Sequence, residues 1–190
     1  MQNKKIAKKI IKILILLLIL ILLVKLISFT LSKYESNATS NTDIQVAFYI
    51  IKEDYQSMNV NLDSLFPREE PYVYTFSISN NDGAKMCETD MEYDLTIRTT
   101  TNLPIDYELY MNEDYKDSKA KSIIKTNDIS QDEYNTYFRT ITTDTQTFTH
   151  IQEKTNVYQL VLYFPQKYNT LNYQDIIEAI EIDVKSKQVI

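Results

Sequence analysis

Carboxylates are the most numerous groups in this chain that could do chemistry: 26 Asp and Glu stand against one histidine and one cysteine. The denser groups are Glu69 and Glu70, then Glu88, Asp90, Glu92 and Asp94, then Glu113, Asp114 and Asp117. Calcium takes six to eight oxygen ligands, so Asp82, Glu88, Glu113, Asp114 and Asp117 are the candidates for a metal site assembled from loops. A continuous EF-hand loop fails the template. With Gly83 at its sixth position, Ile78 stands where the first carboxylate belongs and Thr89 where the bidentate Glu belongs. A glycosidase pair needs carboxyls ~5–9 Å apart, which spacing along the chain does not fix. Asp90, Glu92 and Asp94 alternate with Met91 and Tyr93, so the three acids share one face of a strand, read as the solvated one.

Other chemistries fall to composition. With His150, Cys87 and Gly83 each the single residue of its type, there is no intrachain disulfide, no four-ligand Cys/His zinc site and no glycine-rich phosphate loop. No cofactor other than calcium is expected, and no nucleotide. A serine or cysteine nucleophile would have to use His150 as its base, but no elbow motif marks one. His150 follows the Thr-rich stretch 140–149 and reads as an exposed or rim residue. No catalytic residue is assigned, and the chain is expected not to be an enzyme. Cys87 reads as a small buried hydrophobe, with an intermolecular disulfide as the alternative for an exported protein. Fifteen tyrosines, all at or beyond Tyr34, raise the question of a sugar-binding platform, although Trp is absent. Tyr72, Tyr74 and Phe76 share a strand face and read as packing; Tyr107, Tyr110 and Tyr115 are the candidates for exposure.

Charge and hydropathy divide the chain sharply. Residues 1–9 are a basic start, and 10–32 form an apolar run whose 22-residue core, Ile10 to Leu31, is broken by charge only at Lys12 and Lys25. As a helix that core would reach ~33 Å, enough for a hydrocarbon layer of ~30 Å. The lysines ahead of it place the N-terminus in the cytoplasm and the remainder outside. A cleaved signal peptide is the alternative, with Ser36 and Ala38 as the small residues before the cut and Ala38 as its site. Residues 33–42 are a polar tether that carries the sequon Asn37-Ala38-Thr39. All 26 acids lie at or beyond Glu35, and the segment from Lys33 onward has a net charge of −12. Nucleic acid is therefore not a partner, because phosphate affinity rests on clustered Lys and Arg.

From residue 43 to 190 the apolar period is two, which predicts strands. Ile44, Val46, Phe48 and Ile50 alternate with polar or smaller neighbours, and Met58, Val60 and Leu62 do the same. The clearest alternations are Tyr72–Ile78 and Met91–Ile97. Further strands are expected at Ile105–Tyr110, Tyr137–Thr142, Val157–Phe164 and Ile180–Val184, with a fainter one in Thr145–Ile151. Val157–Phe164 is apolar on both sides, as a central strand would be. Asn80 to Gly83 reads as a hairpin-type turn, Met111–Ser118 as a charged surface loop, and Tyr173–Ala179 as the one brief helix. Short strands at this spacing predict an all-β fold, an antiparallel two-sheet sandwich that is jelly-roll-like, after one N-terminal hydrophobic helix.

The order of basic start, hydrophobic run, small polar segment Glu35–Ser40 and strand Asp43–Ile51 resembles exported proteins of the camelysin and TasA type from low-GC Gram-positive bacteria. The ending is similar too, with a Tyr-containing bend at Tyr173–Asp175, alternating Ile180, Ile182 and Val184, and Gln188 close to the C-terminus. Tyr74–Asn80, Tyr93–Ile97 and Leu103-Pro104 resemble that family's central sheet. The resemblance implies a jelly-roll sandwich that is exported, in a family whose members build biofilm-matrix fibres or sit on the cell surface. Some relatives carry a metalloprotease label, which a lone His150 does not support. The expected function is a non-catalytic, single-pass membrane-anchored surface protein of structural or interactive role. The alternatives are a secreted matrix-fibre subunit, adding its freed tether to a neighbour's sheet edge as a homo-oligomer or to a protein partner, and an extracellular calcium- or carbohydrate-binding module or hydrolase.

Overall fold

Met91, Tyr93, Leu95 and Ile97 are all at most 1% exposed, while Glu92, Asp94, Thr96 and Arg98 between them face outward. That period of two, repeated along the chain, builds two sheets around one core. The computed structural model describes residues 46–189 except Glu53, Asn61, Asp63, Ser64, Gln174 and Asp175. The N-terminal expectations, namely the hydrophobic helix at 10–32, the tether 33–42, the sequon and Ala38, lie outside the described residues. Among the described residues no helix is long and apolar enough to cross a membrane.

The strands are β1 (Val46–Tyr49), β2 (Asp54–Val60), β3 (Tyr72–Ser79), β4 (Met91–Thr100), β5 (Asp106–Met111), β6 (Thr126–Gln131), β7 (Tyr137–Thr142), β8 (Gln146–Phe148), β9 (Thr155–Tyr163) and β10 (Ile180–Gln188). One sheet has the order β1-β3-β9-β5; the other runs β2-β10-β4-β7-β6, with the short β8 also paired to β4. The expected β structure in two sheets is present. β9, apolar on both faces, is interior to the first sheet, and β10 is interior to the second. The pairings nest: β2 with β10, β3 with β9 and β4 with β7, each antiparallel.

Three expectations need correction, and one strand was not expected. β1 pairs with β3 in parallel, so the first sheet is not antiparallel throughout. Asn80–Gly83 does not close a hairpin between β3 and β4, which belong to different sheets. The turn instead closes a small loop through the Asn81–Met86 bridge, with Gly83 at φ +89°, and the chain then crosses to the facing sheet. The brief helix at Tyr173–Ala179 is absent among the described residues: a single 3-10 turn, Leu171–Tyr173, precedes an irregular segment at residues 176–179. β6, with the sequence TNDISQ, gave no signal, because an edge strand exposed on both faces need not alternate.

An aromatic column ties the two sheets together. Phe48 meets Phe76 edge-on at 6.1 Å, Phe76 stacks on Tyr158 at 5.0 Å, and Tyr93 stacks on Phe148 at 5.1 Å. The two halves join where the Tyr93 and Tyr158 hydroxyls meet at 2.7 Å across the core, with the Asn156 amide donating to Tyr93 Oη at 2.7 Å. Aromatic pairs add ~0.5–1.5 kcal/mol beyond the area they bury.

Asn80 pins the crossing from one sheet to the other. It is fully buried; its amide donates to the carbonyls of Thr149 and Gln152, and its Oδ1 accepts from Lys154 N. Its backbone also pairs, N with Lys154 O and O with Cys87 N. Replacing Asn80 by Ala leaves three partly buried backbone groups without this partner, and a fully buried unsatisfied group costs about 1–3 kcal/mol. Asn80→Ala is expected to lower unfolding stability by at least ~2 kcal/mol, read as a lower urea midpoint at unchanged slope.

Candidate functional site

Cross-strand register lays the outer face of the second sheet out in rows. One row is Asn59, Glu181, Arg98, Thr140 and Asp128; the next is Ala179, Thr100, Phe138 and Ser130. Each residue but Ala179, which precedes β10, is the outward member of its strand's alternation, so partners opposite one another lie within reach. Between the two rows the sheet surface forms a depression of about 370 Å3, floored and walled by Asn59, Arg98, Thr100, Phe138, Thr140 and Glu181, with Ser130 and Ala179 at its end.

A charged network fixes one wall. Arg98 Nη2 lies 2.7 Å from Asp183 Oδ2 and 3.2 Å from Glu181 Oε2. Tyr55 donates its hydroxyl to Asp183 Oδ1 at 2.5 Å, and Ser57 donates to Glu181 Oε1 at 2.7 Å. Partial burial opposes the Arg98 charge, yet Asp183 and Glu181 outweigh it and hold the guanidinium above its ordinary pKa. The hydrogen bond to Asp183 raises the Tyr55 hydroxyl. Two carboxylates share one guanidinium, which leaves a local charge of −1 with every charged group engaged.

The end wall hangs on a buried carboxylate. Glu178 is 5% exposed; its Oε1 accepts from Thr99 Oγ1 at 2.6 Å and its Oε2 from Leu103 N at 2.9 Å. Tyr107 Oη joins the same Thr99 hydroxyl at 3.0 Å. Thr100 accepts from Ala179 N, and the Asn102 amide donates to Ile177 O, so residues 176–179 are strapped to the loop after β4. Burial pushes the Glu178 carboxyl above the usual Glu value, against hydrogen bonds from Thr99 and Leu103 that favour its charge.

The calcium candidates do not converge. Asp82 is exposed, and its Oδ1 accepts from Ala84 N and Lys85 N, which lowers its pKa; Glu88 is exposed. Asp114 caps Lys116 N and Asp117 caps Lys119 N within their own turns, and Glu113 is exposed beside them. Among the described residues no three His, Cys, Asp or Glu side chains are grouped to hold a metal.

Elsewhere His150, half exposed, has Nδ1 at 2.7 Å from Asp90 Oδ1, and its backbone N donates to the same oxygen. These two bonds lower the Asp90 pKa, so Asp90 partners a histidine rather than continuing the Glu92 and Asp94 face. No nucleophile joins this pair through a hydrogen bond among the described residues. Cys87 is buried, with Sγ 3.9 Å from Thr149 O.

The three tyrosines named as candidates for exposure do not form an open platform. Tyr107 and Tyr110 are buried and Tyr115 is half-buried. Tyr107 points into the core. Tyr110 and Tyr163 both donate to Glu108 Oε2, at 2.8 and 2.9 Å, and burial together with that carboxylate pushes each hydroxyl up to about 12. The segment after β5 folds back over this edge, Tyr115 N bonding Gln159 Oε1 and Ile123 N bonding Leu109 O. Phe138, Asn59 and the Arg98 network were not singled out by sequence reasoning. The polar positions of β4 and β10 were visible, but which strands lie side by side was not.

In comparisons with known proteins, no family model, curated protein or solved structure matches the chain.

A group whose folded pKa is raised contributes stability below its unfolded pKa and loses it as pH rises through the folded value. Glu178 therefore weakens the native state as it ionises. The stability of the Glu178→Gln variant relative to the parent is expected to rise as pH climbs from the ordinary Glu value upward, measured by urea unfolding across the pH series. A flat difference would show that Glu178 is not held above its ordinary value.

Proposed function

We propose that the chain is a non-catalytic cell-surface protein of structural or interactive role, anchored by residues 10–32 with its acidic β-sandwich outside the cell. The observation that carries this reading is the open groove on the outer face of one sheet, in a domain of net charge −12 that follows a basic and then apolar N-terminal segment. The conserved logic of a catalytic site, a nucleophile or acid held against a base, finds no support in the His150–Asp90 pair or in the scattered loop acids. The nested pairing of β2 with β10, β3 with β9 and β4 with β7 supports a jelly-roll description of the sandwich.

A second reading, a fibre subunit released by cleavage at Ala38, is favoured by β6. This strand ends its sheet, contains no Lys or Pro, and leaves Ile129 55% exposed. Such an edge has one charge, Asp128, and neither of the stronger devices against strand addition, an edge Lys or Pro.

The intact mass of the chain recovered from its own cells, together with protease accessibility on unbroken cells, separates the two. A mass beginning at Met1 in the membrane fraction, with the domain cleaved from outside, is expected for the anchored protein. A mass beginning near Thr39 in the medium, with concentration-dependent fibres that Ile129→Lys abolishes, would establish the released subunit instead. A full-length chain protected inside the cell would overturn both.

A further inference from the structure

The geometry points to the groove on the second sheet as a binding site for a neutral oligosaccharide, an inference that rests on the interaction-protein reading above. Its volume of about 370 Å3 falls in the ~300–1,000 Å3 range of small-ligand sites. Phe138 supplies a ring against which the C–H face of a sugar packs, and it is the aromatic residue of the groove lining. Around it stand Asn59, Thr100, Ser130 and Thr140, whose amide and hydroxyl groups both donate and accept. Sugar hydroxyls do the same, so each finds a partner whichever way its proton points.

Charge selects against other ligands. Arg98 is occupied by Asp183 and Glu181, and those carboxylates are further engaged by Tyr55 and Ser57. The wall therefore has a net charge of −1 within a strongly acidic domain, which repels phosphates, sulfates and uronates. A cation would have to displace Arg98 from both carboxylates. A protein partner needs ~800 Å2 of surface per side, more than the lining of this groove presents. The rows repeat at the ~4.8 Å strand spacing, so the polar groups form an extended array rather than a single point of contact. An oligosaccharide lying across the strands uses such an array better than a monosaccharide does.

The test is calorimetric titration of the full-length chain in lipid nanodiscs with three probes: N-acetylglucosamine tetramer, maltotetraose and cellotetraose. At least one is expected to bind with a Kd on the order of 0.1–1 mM. Affinity should survive ~1 M salt, where screening confines charge interactions to ~3 Å. Phe138→Ala is expected to weaken binding about tenfold or more, Phe138→Tyr to retain it, and Asn59→Ala to weaken it severalfold, about 1 kcal/mol per missing hydrogen bond. Tyr134→Ala, an exposed change in the β6–β7 turn, should leave it unchanged. Thermal unfolding of each variant shows that it is folded. No heat with any of the three probes, unchanged binding by a folded Phe138→Ala protein, or binding abolished by salt would each overturn the site. These results would leave the surface reading standing if protease on intact cells still reaches the domain. Protection of the domain inside the cell would instead overturn that reading.

Discussion

Two phenol hydroxyls meeting in the middle of the sandwich constrain almost everything else. Tyr93 and Tyr158 come from facing sheets, are at most 1% exposed, and share a hydrogen bond that neither could make to water. A buried hydroxyl without a partner costs roughly 1–3 kcal/mol, so the two strands must hold their spacing and register for both tyrosines at once. Burial raises the pKa of both phenols, so the pair stays neutral at any pH the protein would meet. Asn156 then has to supply a donor to Tyr93, and its Oδ1 must accept from Asn112. Asn112 answers at the surface by adopting φ +57° and returning its own Oδ1 to Val157 N. One polar contact at the centre thus reaches through β9 to a left-handed residue at the end of β5.

That constraint also explains where chemistry is left. With the core filled by rings and aliphatic side chains and its hydroxyls paired, the interior offers no free polar group; among the described residues no buried side-chain polar atom lacks a partner. Recognition must therefore lie on the outer faces. On the first sheet the outer face beside β5 is occupied by Glu108, Tyr110 and Tyr163, locked together and overlaid by the returning chain. On the second sheet the outer face carries the groove beside Phe138.

The fold was legible in the sequence wherever burial is one-sided. Met91 to Ile97 and Tyr72 to Ile78 alternate because one face meets the core and the other meets water, and that difference is written residue by residue. It fails where both faces see the same medium. β6 is exposed on both, so nothing separates its odd from its even positions. It also fails where pairing partners are distant, since β1 beside β3 in parallel and β3 away from β4 depend on the whole assembly. The site suffered most. Tyr107 and Tyr110 read as exposed because the loop after them is charged, but that loop folds back on the strand and its acids turn outward in capping bonds to their own backbone. Phe138 sat among polar neighbours and drew no notice, though an aromatic residue on the polar face of a strand was the available signal.

The second sheet's groove is held from two sides, each by a buried carboxylate and its hydrogen-bond partners. On one wall, Arg98 and Glu181 are partly exposed, where an ion pair contributes little stability, while Asp183 is buried and held by Arg98 and the Tyr55 hydroxyl. At the end, Glu178 is buried and its charge is costly, yet its hydrogen bonds to Thr99 and Leu103 order a stretch that has no regular structure of its own. A leucine at that position would avoid the cost of the buried charge but would leave Leu103 N unpaired and the strap at residues 176–179 without its anchor. The retained carboxylate is thus better explained by the shape it imposes on the rim of the groove than by any gain in stability, and the two walls share that property.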